Sequence, residues 1–202
     1  MKDILNEKEF SDPARRASWM NIAMGWKTPN ARHVGGMRDP REVKLRRGSD
    51  LFRIGHSTYE NRPVSDEFNL SRSWWMENET FCDIGTSANI IGLDKQVMAR
   101  LKLSVGLDFG VFDTIFWVKL VAPLGAFMGY GNPVYEAPSS DQPDPPPAWA
   151  WPGREVRQCF IPGLSDLSGK PTGLAAQAFT VIARRPVSAW AQFDTGVLRG
   201  QA

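Results

Sequence analysis

One cation interrupts an apolar run, Leu51-Phe52-Arg53-Ile54-Gly55, and His56 and Ser57 follow at once. The planar fork of an arginine matches two oxygens of a phosphate or a ribose, so Arg53 is a candidate clamp. The same pattern suits a solvent-facing strand position. About twenty residues on comes Ser71-Arg72-Ser73-Trp74-Trp75-Met76. Serines such as Ser71 and Ser73 can hydrogen-bond a sugar hydroxyl or order a site. Trp74 and Trp75 can pack a core, or one ring can stack on a flat heteroaromatic group. Gly129-Tyr130-Gly131-Asn132-Pro133 reads as a glycine-punctuated turn.

The elements that must position these residues divide unevenly along 202 residues, a length that suits one domain with a real core. Residues 1–50 read as a basic lead-in with one helix, started by Ser11-Asp12-Pro13 and running from Ala14 to Met24. Its cations Arg38, Arg41, Lys44, Arg46 and Arg47 form a solvated face or a platform for an acidic partner. A catalytic-type domain over 51–202 follows. Leu51–Gly55 is a strand, and Glu60 to Asn69 is a loop. A helical middle follows, in which Leu93, Val97 and Leu101 recur on one face after Asp94. Asp113 to Val121 is a central strand, β-branched and aromatic almost throughout. Pro138 to Pro147 is an extended loop. Glu155 to Ile161 and Ala178 to Ala183 are further strands, and Trp190 and Phe193 are anchors for the tail. Helices and strands are segregated without βαβ alternation, so the fold class is α+β.

Several chemistries find no support. The two histidines, His33 and His56, have no ligand-spaced partner, so no metal is expected. Cys82 and Cys159 form no metal-spaced pair, and no Gly-x-Ser-x-Gly elbow occurs. No glycine-rich phosphate loop opens a helix. A net charge of +2 argues against a general nucleic-acid binder. No apolar run is long enough to span a membrane, and the first residues lack the apolar core of a signal peptide, so a soluble chain without membrane contact is expected.

The order Leu-Phe-Arg53, Ser-x-Ser73-Trp-Trp, Gln158-Cys-Phe-Ile-Pro-Gly163 and Ala-Phe-Thr-Val-Ile-Ala183 resembles the ADP-ribosyltransferase superfamily, and within it the compact toxin-type members delivered by bacteria. The resemblance covers about residues 50–187. It implies a compact α+β fold with a split β-sheet. It also implies NAD as substrate, with cleavage of the nicotinamide–ribose bond by transfer to a protein or nucleic-acid acceptor, or by hydrolysis. Arg53 would hold the diphosphate or a ribose. His56 and Ser57 would lie in the turn after that strand, Ser71 and Ser73 would order the site, Trp74 or Trp75 would stack on nicotinamide, and Tyr130 would cover it. The catalytic glutamate position reads Gln158, and Glu155 stands three residues earlier, on the other side of a regular strand. An amide can hydrogen-bond a hydroxyl but supplies no full negative charge to an oxocarbenium-like ribose. Gln158 therefore tilts the expectation towards NAD hydrolysis. The resemblance further implies an immunity or carrier partner and delivery into a target-cell cytosol by a dedicated secretion system. The alternative is a non-catalytic module of the same fold that docks an acidic partner.

Overall fold

The computed structural model describes residues 2–25, 36–59, 62–105, 111–132, 134–135, 150–151 and 156–194. Two helices open the chain, α1 (Lys8–Ser11) and α2 (Pro13–Ala23). The Asp12 carboxylate accepts from the backbone N–H groups of Ala14 and Arg15, and Pro13 fills the first turn, where its missing N–H costs nothing.

Seven strands form one antiparallel sheet. They are β1 (Met37–Leu45), β2 (Asp50–Gly55), β5 (Trp74–Glu77), β6 (Thr114–Leu120), β7 (Leu124–Gly131), β10 (Arg157–Phe160) and β11 (Phe179–Pro186), in the order β1-β7-β10-β5-β2-β6-β11. Two small ladders stand apart, β3 (Thr58–Tyr59) with β4 (Arg62–Pro63), and β8 (Val134–Tyr135) with β9 (Ala150–Trp151). The helices between strands are α3 (Asp66–Leu70), α4 (Asn78–Ile91), α5 (Lys95–Leu103) and α6 (Leu174–Ala178), and α7 (Ala191–Asp194) closes the described chain. The protein is an α+β fold.

The sheet divides at β5. Trp74 and Trp75 pair with Phe160 and Cys159 of β10, whereas Met76 and Glu77 pair with Phe52 and Leu51 of β2. Each half of a four-residue strand thus serves a different neighbour. Beyond Phe52, β2 parts from β5, and Arg53 stands at the opening.

Strand alternation sorts the core. Leu51, Trp75, Val118, Met128 and Cys159 share one face, and the two halves of the sheet bury that face together. On the opposite face Phe52, Ile54, Met76 and Ile115 pack against Phe81 and Ile84 of α4, Met98 of α5 and Trp190. Phe127 and Phe160 also lie on this opposite face and receive Ile4, Phe10, Trp19 and Ala23. Trp190 stacks on Phe81 at 4.3 Å, and Phe81 on Phe52 at 4.3 Å, so Trp190 and Phe193 do anchor the tail.

Several local expectations change. The lead-in contains β1, an edge strand with a break in register between Arg38 and Arg41 and with Asp39 at φ 50°. Pro40 and five charged residues hide its strand character, and an edge strand tolerates both. The lead-in is built into the core through Phe127 and Phe160. Gly129-Tyr130-Gly131 continues β7 and makes no turn, because Gly129 and Tyr130 pair with Gln158 and Arg157. A Cβ on Gly129 would meet Arg38 O at 2.6 Å, so glycine lets β1 approach. The stretch expected as a loop up to Asn69 holds β4 and most of α3. The buried face of α5 is Met98 and Ala99, while Leu93 and Val97 are exposed. Glu155, His33 and the Pro138–Pro147 loop lie outside the described residues.

Candidate functional site

The opening between β2 and β5 is filled by the Arg53 side chain. Its Nη1 donates to Trp74 O at 2.6 Å, satisfying a carbonyl that the parted strand β2 does not reach. Its Nε is buried without a hydrogen-bond partner. Burial, then the nearby Arg72 cation, pulls its pKa down to about 9, so it remains charged at neutral pH. No carboxylate pairs with Arg53 among the described residues. Arg72 is in the same position: its guanidinium lies 3.8 Å over the Phe68 ring, and Nη1 donates weakly to Gly169 O at 3.5 Å. Burial also lowers its pKa. Two neighbouring, half-buried guanidiniums thus stand at the opening of the sheet with no carboxylate partner among the described residues.

Hydrogen bonds tie down the loop that follows Arg53. Asn69, fully buried, accepts from the backbone N–H of His56 at 3.0 Å and donates to His56 O at 2.9 Å, clasping the loop that joins β2 to β5. Gly55 makes room, since a Cβ there would come within 2.2 Å of Asn69 Oδ1. Ser57 donates to the Asp113 carboxylate through Oγ and also through its backbone N–H, at 2.8 Å for the latter. Burial pushes the Asp113 carboxyl up, but these bonds and one from Thr114 Oγ1 outweigh it and hold the group below its ordinary value. The His56 ring hydrogen-bonds Val111 O, and burial lowers its pKa against the pull of that bond. His56 and Ser57 therefore fix the turn after β2, with their polar groups already engaged.

The Ser-x-Ser segment approaches Arg53 through its middle residue, Arg72. Ser71 is buried and donates to Phe68 O at 2.9 Å, closing α3. Ser73 is buried, and its carbonyl accepts from Ile161 N–H at 2.8 Å. Trp75 is only 2% exposed, packs on Phe179 at 4.8 Å and donates Nε1 to Arg72 O at 2.7 Å, so its ring belongs to the core and steadies Arg72. Trp74 leaves the opposite face, edge-on to Phe160 at 5.1 Å. Neither ring lies open beside Arg53.

Two expected members are not brought to Arg53. Gln158 alternates onto the face opposite Arg53, on the strand beyond β5, and its Nε2 donates to Leu103 O at 2.7 Å. Tyr130 lies three strands from β2, roughly 14 Å at ordinary strand spacing. It faces Arg38, whose guanidinium is 5.9 Å from its ring. Cys159 is fully buried beside Glu77, which pushes its thiol up and removes it as a nucleophile. A depression of about 580 Å³ lies at the sheet rim between Ser57, Asp94, Asp113, Arg184 and Ser188, and it excludes Arg53 and Gln158. Among the described residues no group of His, Cys, Asp and Glu could hold a metal, and no helix is long and apolar enough to cross a membrane.

No family model matches the chain, and neither does any curated protein. A solved structure described as Rhs1-CT in complex with cognate immunity protein RhsI1 is similar over 74% of this chain and 82% of that chain, at 14% identity and a TM-score of 0.41. A likeness of that size bears on neither family nor activity. What the site defines is a split antiparallel sheet with two neighbouring arginines at the split.

Proposed function

We propose that the protein is an NAD-consuming enzyme of ADP-ribosyltransferase type that cleaves the nicotinamide–ribose bond, and that Arg53 and Arg72 hold the dinucleotide diphosphate. The observation that carries this is the pair of neighbouring guanidiniums with no carboxylate partner among the described residues. Like charges held together destabilise the free protein, and a diphosphate relieves both at once with charge-assisted hydrogen bonds. The adjacency of β2, β5 and β10, which bear Arg53, follow Ser73 and bear Gln158 in turn, supports this reading. The Gln158 amide is spent on Leu103 O, so its part in catalysis is indirect in this reading. The acceptor, whether water, protein or nucleic acid, is set by what reaches the two arginines.

The test is incubation of the whole chain with NAD, reading released nicotinamide by mass spectrometry. Wild type is expected to release it. Arg53→Ala and Arg72→Ala are each expected to weaken NAD affinity by about ten- to a hundredfold, the loss of one charged hydrogen-bonding group. No release by wild type, or full activity in both variants, sinks the proposal. A second reading has its own observation: Arg38 and Arg41 are exposed on the edge strand β1. That strand suits a non-catalytic module docking an acidic partner, such as an immunity or carrier protein. An acidic partner bound without any NAD turnover would favour it.

A further inference from the structure

We infer that Tyr59 is the platform on which one flat heteroaromatic ring of the bound dinucleotide stacks. This rests on the proposal that Arg53 and Arg72 hold the diphosphate. A nucleotide needs a second contact beyond its phosphates, and the aromatic residues of the sequence motif do not provide it. Trp75 is sealed in the core, and Trp74 packs on Phe160 on the other face.

The hairpin of β3 and β4 supplies an alternative. Tyr59 is 44% exposed. Its ring centroid lies 6.1 Å from Phe68 and 6.2 Å from the His56 ring. Phe68 carries the Arg72 guanidinium on its face at 3.8 Å, and Tyr59 is close enough to Arg72 to act on its charge. Tyr59 is paired across the hairpin with Arg62, which is exposed. One side of the ring is thus packed against His56 and against the Phe68 ring that carries Arg72, and the rest of it is exposed. A base tethered through a ribose to a diphosphate on Arg72 reaches that exposed part. A tyrosine presents a large rigid ring at low entropic cost, and such stacking tolerates any flat base.

The experiment separates stacking from charge by comparing ADP with inorganic pyrophosphate, titrated calorimetrically against wild type, Tyr59→Ala, Tyr59→Phe and Arg72→Ala. Loss of one stacked base corresponds to about tenfold or somewhat more in affinity. Tyr59→Ala is therefore expected to weaken ADP by about tenfold and to leave pyrophosphate unchanged, while Tyr59→Phe keeps both and Arg72→Ala weakens both. If Tyr59→Ala weakens neither ligand, or both equally, or if Tyr59→Phe loses ADP, the stacking role is overturned while the phosphate site stands. Wild type that binds neither ligand overturns the phosphate site itself, and the stacking inference with it.

Discussion

Arg53 carries a cost that a bound anion would offset. A buried donor without a partner costs about 1–3 kcal/mol, and Arg53 Nε is such a donor beside a second cation. The lowered pKa fixes the sign of a pH test. Protonation of Arg53 is penalised in the folded chain, fully so below about 9, and the penalty fades as pH rises from there towards the ordinary arginine range. The free protein gains stability over that window through this residue. Anion affinity moves the other way, because the charge that attracts the anion is lost through the same range. Pyrophosphate titrated from neutral pH upward is expected to bind evenly until about pH 9 and then to weaken, with binding accompanied by proton uptake near that pH. Affinity that stays flat through pH 9 to 10 would mean that Arg53 is not the anchor.

The elements explain which parts of this were readable from sequence. Asp12 and Asp94 cap their helices, as their positions before the apolar runs indicate. β6 was legible because Thr114 to Leu120 is β-branched, aromatic or aliphatic except at Lys119. β1 was not, since an edge strand keeps Arg38, Arg41 and Lys44 exposed and shows no alternation. The site was half legible. Arg53 stands out as a cation in an apolar strand, but Arg72 is masked by the two serines around it, and no periodicity says that Trp75 turns inward. Side-chain direction at Gln158 depends on the register of β10 against β5, which a motif cannot report. That register has a consequence for α5. Gln158 Nε2 to Leu103 O is the tie between β10 and the end of the helix. Gln158→Ala is expected to cost about 0.5–1.5 kcal/mol in urea denaturation, the worth of one such bond, and to leave pyrophosphate binding unchanged. Abolished NAD turnover at unchanged stability would instead return Gln158 to the catalytic centre.

Across the whole molecule, the segment before β1 acts as part of the sheet's core. Asn6 donates to Gly125 O and Pro162 O, both at 2.9 Å, and accepts from Gly125 N–H at 2.8 Å, joining the N-terminal residues to β7 and to the end of β10. Trp19 is 4% exposed, lies 6.0 Å from Phe160 and donates Nε1 to Glu9 Oε2 at 2.7 Å. Glu9, 2% exposed, also meets Arg15 at 3.2 Å and Lys8 at 3.8 Å, so its buried charge has three partners. Phe160 is paired with Trp74, and Trp74 O receives Arg53. The N-terminal helices therefore brace the strand that receives Arg53. Trp19→Ala removes a buried indole and leaves a carboxylate with one partner fewer. It is expected to cost about 3–5 kcal/mol, while Trp19→Phe keeps most of the packing and costs about 1.5–3 kcal/mol for the lost bond to a charged acceptor. Both variants should unfold in one transition, because α2 and the sheet share the cluster of Phe127 and Phe160. Equilibrium denaturation read by circular dichroism and by tryptophan fluorescence tests this. Two separated transitions, or a loss under 1 kcal/mol in Trp19→Ala, would show that the lead-in folds as a unit apart from the sheet.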